Sequence, residues 1–161
     1  MFVPTPSTTT LLNLVCKEVH ACESILDMCT GNGWIAKALK QIFLDARVVA
    51  SDIEPYKGDC EIDWRQGDLF ESIRGEKFDL IVMNPPYVPS KDCEGCEPRI
   101  AYDGGGDGFE FIERFLKEFR NHLTPGGRAF IEIHATHEDR LPEWEVLTFG
   151  NDHFAIYRCP L

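Results

Sequence analysis

Hydrophobic positions change their period as this chain runs. Leu11, Leu12, Val15, Cys16 and Val19 recur at helical spacing behind a run of hydroxyl residues, Ser7 to Thr10, that can cap free N–H groups, which predicts an N-terminal helix. The apolar strand "SILDM" (24–28) ends next to an acid and leads through "CTGNG" into a helix over 34–43, with Ile35, Leu39, Ile42 and Phe43 on one face. "RVVASD" (47–52) reads as a second strand, "EIDWRQGD" (61–68) as a third and "FDLIVM" (78–83) as a fourth. The strongest helical pattern covers 109–123, with Ile112, Phe115, Leu116, Phe119 and Leu123 on its core face. "TPGG" (124–127) breaks it, "RAFIEIH" (128–134) is a fifth strand, and "WEVLTF" (144–149) with "HFAIYRC" (153–159) flanks "GND" in the pattern of a hairpin.

Strands and helices that alternate and then end in an antiparallel pair predict an α/β fold. The expected architecture is an open, mostly parallel sheet of about seven strands with a C-terminal antiparallel edge hairpin, in one domain over residues 1–161. Only nine residues, "IEPYKGDCE", separate Asp52 from Ile62. A parallel crossover normally takes at least 10 to 12 with its helix included, so the covering helix there is expected to be shortened and the third strand to lie at the sheet's edge. Cys60, Ile62 and Trp64 alternate with Glu61, Asp63 and Arg65, which gives that strand one apolar face and an open edge that invites a strand from a second chain.

Charge narrows the function. Sixteen basic against 27 acidic residues leave a net −11, which disfavours general binding to a nucleic-acid backbone. No segment approaches the roughly 20 apolar residues of a membrane span, and the N-terminus lacks the pattern of a secretory leader, so the chain reads as cytoplasmic, with a nuclear pool compatible. Cys16, Cys29, Cys60 and Cys159 sit in apolar surroundings that suit small buried thiols. "CEGC" (93–96) has metal-like spacing but no second close pair, and His134 and His137 could add two ligands only if the fold brought them together, so a polar surface loop is expected and no metal site.

Candidate chemistry gathers at strand ends. In an open α/β sheet, ligands sit beyond the carboxyl ends of the strands, where strand order reverses. "DMCTGNG" places Gly31 and Gly33 in the turn after strand one, Asp52 closes strand two 25 residues after Asp27, and "GDLF" puts Asp68 and Leu69 beyond strand three. A carboxylate at the position of Asp52 can accept hydrogen bonds from both hydroxyls of a ribose, and Asp68 is placed for an adenine amine, so a nucleoside-bearing cofactor is expected. After strand four comes "NPPYVP" (84–89). Its prolines lack N–H groups and fix the backbone, leaving a stiff segment rich in acceptors.

In order and spacing, "ILDMCTGNG", "SD" at 51–52, "GDLF", "FDLIVMNPPYVP" and "LTPGG" resemble the class I S-adenosylmethionine-dependent methyltransferases, whose fold is Rossmann-like. Within them "NPPY" marks enzymes that methylate amino groups, either of adenine and cytosine or of glutamine. "VPTPSTTTLL" and "EPRIAYDGGGDGFEFIERF" (97–115) are similar to segments of the release-factor glutamine methyltransferases, and to their short eukaryotic and archaeal catalytic subunit above all. The resemblance implies S-adenosylmethionine as methyl donor, held by Thr8, Thr9, Asp27, Cys29, Gly31, Gly33, Asp52, Asp68, Leu69 and Asn84. It implies as substrate the glutamine of the Gly-Gly-Gln loop of a class I release factor, and as partner a small zinc-binding activator subunit. Cys29 departs from the family, standing where its loop usually has a glycine.

The resembling residues make chemical sense. The lone pair of an amide nitrogen is delocalised, so the NH₂ group must be gripped by acceptors and aligned with the methyl. Asn84 offers a side-chain oxygen, Pro85 a carbonyl and Tyr87 a flat face, with Pro86 stiffening the segment. From Lys91 to Glu113 seven acids (Asp92, Glu94, Glu97, Asp103, Asp107, Glu110 and Glu113) face two bases, which favours a protein substrate over a nucleobase in DNA or RNA. Gly104, Gly105 and Gly106 are expected to turn the backbone close to that substrate.

Overall fold

A computed structural model describes residues 5–55, 61–141, 143–149 and 154–159. The N-terminal helix α1 (Pro6–Glu18) starts at Thr5, whose side chain accepts from Thr8 N, and Pro6 enters its first turn, where a missing N–H costs nothing. Strand β1 (Ser24–Met28) follows, then α2 (Trp34–Ile42) and β2 (Arg47–Asp52). The chain continues through β3 (Asp63–Gln66), β4 (Phe78–Met83) and α3 (Glu110–Glu118). It closes with β5 (Leu123–His134), β6 (Glu145–Phe149) and β7 (Phe154–Arg158).

The seven strands form one sheet in the order β3-β2-β1-β4-β5-β7-β6. β3, β2, β1, β4 and β5 are mutually parallel, and β7 is antiparallel to both β5 and β6. Strand order therefore reverses between β1 and β4. Both faces are covered because consecutive strand residues, which point to opposite faces, are apolar: Leu26, Val49 and Ile81 pack with Phe115 of α3, while Ile25, Val48 and Leu80 pack with Leu11 of α1 and Leu39 of α2.

Several elements differ from the periodic reading. The helix over 109–123 ends as an α-helix at Glu118, and Phe119–His122 tightens to a 3-10 turn. His122 is buried there, stacked on Phe70 at 4.3 Å with Nδ1 2.9 Å from Glu76 O, and Leu123 after it pairs with Phe78 in the sheet. "TPGG" consequently lies inside β5, where the register with β4 shifts between Phe78 and Leu80, rather than before the strand.

At the other end β3 is the edge strand, shorter than the expected 61–68, and no helix joins it to β2 among the described residues. Its side chains are less available to a partner than expected. Ile62 is buried in the chain's own core and Trp64 packs against it; Cys60 and the turn "GND" lie outside the described residues. Asp63 and Arg65 face the other way, into an ion-pair lattice with Arg47 and Glu76.

Candidate functional site

The carboxyl ends of β1 to β4 open on a cleft of about 900 Å³. Its wall includes Cys29 and Gly31 after β1, Asp52 at the end of β2, Asp68 and Leu69 after β3, and Asn84 to Tyr87 after β4. The N-terminal turn of α1 adds Thr8. Segments far apart in sequence are thus brought to one place by strand order.

The turn after β1 is built on left-handed backbone. Cys29 has φ +60°, Gly31 +55° and Gly33 +75°. A Cβ in that region costs about 1–2 kcal/mol, so Cys29 adopts the conformation that a glycine there would take freely. Burial and the nearby charges of Asp52, Asp27 and Asp68 raise its thiol well above the ordinary range, which makes it a poor nucleophile. Gly31 N donates to Asp52 Oδ2 at 2.8 Å and Glu54 N to Oδ1 at 2.9 Å, fixing the carboxylate while leaving a lone pair on each oxygen. A Cβ on Gly31 would meet nothing within 4 Å, so the turn borders open space that a ribose-bearing ligand could fill.

Three of the expected cofactor residues stand elsewhere. Thr9 is exposed and its hydroxyl turns back to Thr5 O at 3.3 Å. Gly33 starts α2 above Trp64, whose ring would lie 2.1 Å from a Cβ, so its glycine serves packing. Asp27 is buried beneath the turn, where Oδ2 accepts from Thr30 Oγ1 at 2.6 Å and Ala36 N at 2.9 Å. Burial pushes its carboxyl up to about 7, against the pull of those two donors and with the help of the nearby Asp52 charge. Asp68 does reach the cleft, paired with Arg114 of α3 at 2.6 Å.

On the opposite wall Asn84 Nδ2 donates to Thr8 Oγ1 at 3.1 Å, and Thr8 Oγ1 is itself 2.8 Å from Thr5 Oγ1. With Nδ2 turned to Thr8, the Asn84 amide carries its acceptor Oδ1 on the other side, and Asn84 and Pro85 both line the cleft. Tyr87 Oη donates to Glu132 Oε1 at 2.9 Å. Glu132 of β5 also lines the cleft and was not singled out in the sequence, where it reads as one polar residue in "RAFIEIH"; an acid flanked by isoleucines in a central strand was the signal available.

The loop after "NPPY" is tied down by its own acids. Asp103 accepts from Ser90 Oγ, Arg99 Nε and Gly105 N, Asp107 from Phe109 N, and Glu110 from Gly106 N. Asp103, Asp107 and Glu110 thus hold the loop in shape. Gly104 and Gly108 press on the motif itself: a Cβ would sit 2.8 Å from Tyr87 Cα and 2.3 Å from Tyr87 O. The glycines therefore let the loop close on "NPPY", where an approach to substrate was expected.

Cys93 is buried with Sγ 3.8 Å from Val88 O, so that half of "CEGC" is interior rather than surface. Among the described residues no group of three or more His, Cys, Asp and Glu side chains is placed to hold a metal ion. The rings of His134 and His137 lie 6.0 Å apart, and His137 Nε2 is 2.9 Å from Asp107 O. No helix among the described residues is long and apolar enough to cross a membrane.

Comparison with known proteins agrees with this layout. A family described as "Methyltransferase domain" matches residues 11–159. The ribosomal protein uL3 glutamine methyltransferase of Bradyrhizobium diazoefficiens is 38% identical over 136 residues, covering 70% of this chain and 41% of that protein. The release factor glutamine methyltransferase of Geobacter sulfurreducens is 30% identical, covering 83% and 53%. The chain thus spans about half the length of these curated relatives. Among solved structures, the E. cuniculi Mtq2–Trm112 complex, described as responsible for methylating the eRF1 translation termination factor, matches with TM-score 0.68 at 24% identity over 98% of this chain and 94% of that one. With a class I methyltransferase sheet and a family match over nearly its whole length, the chain belongs to the methyltransferase domain family.

Proposed function

We propose that this chain, acting as a single domain, transfers the methyl group of S-adenosylmethionine to the side-chain amide nitrogen of a glutamine in a protein, with the Gly-Gly-Gln loop of a class I release factor as the substrate. The observation that carries the reading is the Asn84 amide, whose NH₂ is held by Thr8 so that Oδ1 lies on the side away from that bond, with Pro85 next to it in the wall of the cleft. Two acceptors on a stiff segment match the two N–H donors of a primary amide. S-adenosylmethionine, when bound, supplies an electrophilic methyl on a cationic sulfonium. Asp52 would hold the ribose hydroxyls, Cys29 and Gly31 would border the cofactor, and Asp68 and Leu69 would flank the adenine. Asn84 and Pro85 orient the substrate nitrogen, so that its lone pair faces the methyl, and Tyr87 supports the amide plane.

Charge favours a protein over a nucleic acid. Six acids (Asp52, Glu54, Asp68, Glu97, Asp103 and Glu132) and one base, Arg114, are the charged residues of the cleft's described wall. Such a wall favours a cationic cofactor and repels phosphates. The names of the relatives, release factor and uL3 glutamine methyltransferases, support glutamine and leave two candidate proteins. Incubation with labelled cofactor and, in parallel, a class I release factor, ribosomal protein uL3 and oligonucleotides should place label on the glutamine of the release factor. Label on uL3 alone would reassign the substrate, and label on adenine or cytosine would overturn the reading.

The open edge of β3 supports a second chain, a small activator subunit like the partner in the E. cuniculi complex. With Ile62 and Trp64 packed inward, the pairing would rest on β3 backbone groups. Co-expression should yield a 1:1 complex with higher activity; a monodisperse single chain of full activity would count against it.

A further inference from the structure

Glu132 is costly where it stands. It lies between Ile131 and Ile133, pairs with Ile156 of β7 across the sheet, and is 0% exposed. Taking a carboxylate out of water costs several kcal/mol unless partners compensate, and an apolar residue would suit that position better. Its Oε1 accepts from the Tyr87 hydroxyl at 2.9 Å, while Oε2 has no partner within hydrogen-bond distance among the described residues. Burial raises the carboxyl, with the Ser7 and Tyr87 hydroxyls pulling the other way. Burial and the adjoining Glu132 charge raise the Tyr87 phenol too, so it keeps its proton and remains the donor.

Tyr87 is held at both ends. Its backbone is clasped by Gly104 and Gly108, and its hydroxyl reaches the central strand through Glu132. Without the second hold the ring could turn about its side-chain bonds, and the plane it offers would be lost. We propose that Glu132 is a positioning residue for methyl transfer: it fixes the Tyr87 ring as the wall against which the substrate's planar amide is aligned. The inference rests on the reading of this cleft as an amide methylation site. It explains why a core strand carries an acid that accepts a hydrogen bond from a residue of the "NPPY" segment.

Four variants test it: Glu132→Leu, Glu132→Gln, Tyr87→Phe and the double Glu132→Leu/Tyr87→Phe. Misplacing a reacting group by about 1 Å can cost on the order of a hundredfold. Glu132→Leu and Tyr87→Phe should each lower kcat on a release factor by roughly tenfold to a hundredfold, with cofactor affinity unchanged. Glu132→Leu should melt at or above the parent temperature, a combination that a merely structural residue would not give. The double variant should be no slower than either single, and Glu132→Gln, which keeps an acceptor oxygen, should recover most of the loss. Full kcat in Glu132→Leu, or losses that multiply in the double, would overturn the proposal. Ring-flip broadening of isotope-labelled Tyr87 reads the same link without turnover. Flips should be slow in the parent and in Glu132→Gln and fast in Glu132→Leu; flips unchanged by Glu132→Leu would overturn it. A parent that transfers no methyl to glutamine would sink the functional reading instead, with the ring measurement still deciding whether Glu132 holds Tyr87.

Discussion

Thr8 Oγ1 and Asn84 Nδ2 meet at 3.1 Å across 76 positions of sequence, and through this contact the first turn of α1 sets the orientation of an amide at the end of β4. An unanchored asparagine could present either its oxygen or its NH₂ to a ligand. The anchored one offers the oxygen.

Asn84→Ala should therefore abolish methyl transfer while leaving cofactor binding largely intact, because the lost acceptor serves the substrate. Thr8→Val, which keeps shape and removes the hydroxyl, should act in the same direction more weakly, by about 1–2 kcal/mol in kcat/KM. Single-turnover rates with calorimetric cofactor binding check both; a near-normal rate in Asn84→Ala would remove the proposed grip.

Asp52 has a structural and a binding task. Its oxygens fix Gly31 N and Glu54 N, and they face the cleft with lone pairs to spare. Asp52→Ala should weaken cofactor binding by about 1–3 kcal/mol, the cost of leaving hydroxyls and two backbone donors without their charged acceptor. An unchanged dissociation constant by calorimetry would rule out that role.

Much of this arrangement was legible in the chain because periodicity and strand-end acids are local signals. "SILDM", "RVVASD" and "FDLIVM" mark strands by themselves, and Asp52 and Asn84 follow them directly. Contacts between distant segments left no such mark. Gly33 looks like a ligand-turn glycine until Trp64 is seen beneath it, and Asp27 looks like a ligand until it is found under the turn. Cys29 breaks the glycine pattern in sequence yet holds φ +60°, so the backbone survives the substitution. Glu132 carries no mark of its burial in sequence, because a single acid in a strand usually faces water.

Gly108 offers a test of the loop that clasps Tyr87. It has φ +82°, and a Cβ would lie 2.3 Å from Tyr87 O, where the obstacle is backbone and cannot swing away. Gly108→Ala should cost about 2–4 kcal/mol of stability and most of the activity. Gly126→Ala is the control, since it shares φ +82° but meets nothing within 4 Å, and should cost about 1 kcal/mol. Chemical denaturation compares them; equal losses would show that the loop does not depend on close approach to the motif.

Asp27 makes stability depend on pH in a stated direction. Its carboxyl is raised by burial from the ordinary 3.8 to about 7, so between those values the folded protein keeps a proton that the unfolded chain has released. The stabilisation from protonated Asp27 is fully present below about pH 4, falls as pH rises toward 7, and is gone above it. Asp27→Asn keeps an oxygen for Thr30 and Ala36 and cannot titrate. The parent's unfolding free energy minus that of the variant should increase as pH is lowered from 8 to 4, by on the order of a few kcal/mol. Groups common to both proteins, such as Asp103 with its carboxyl held down at about 2 by Ser90 and Arg99, cancel in this difference. Urea unfolding at pH 8, 6 and 4.5 checks it, and a flat difference would mean that Asp27 keeps its charge in the fold, held by Thr30 and Ala36 against the cost of burial.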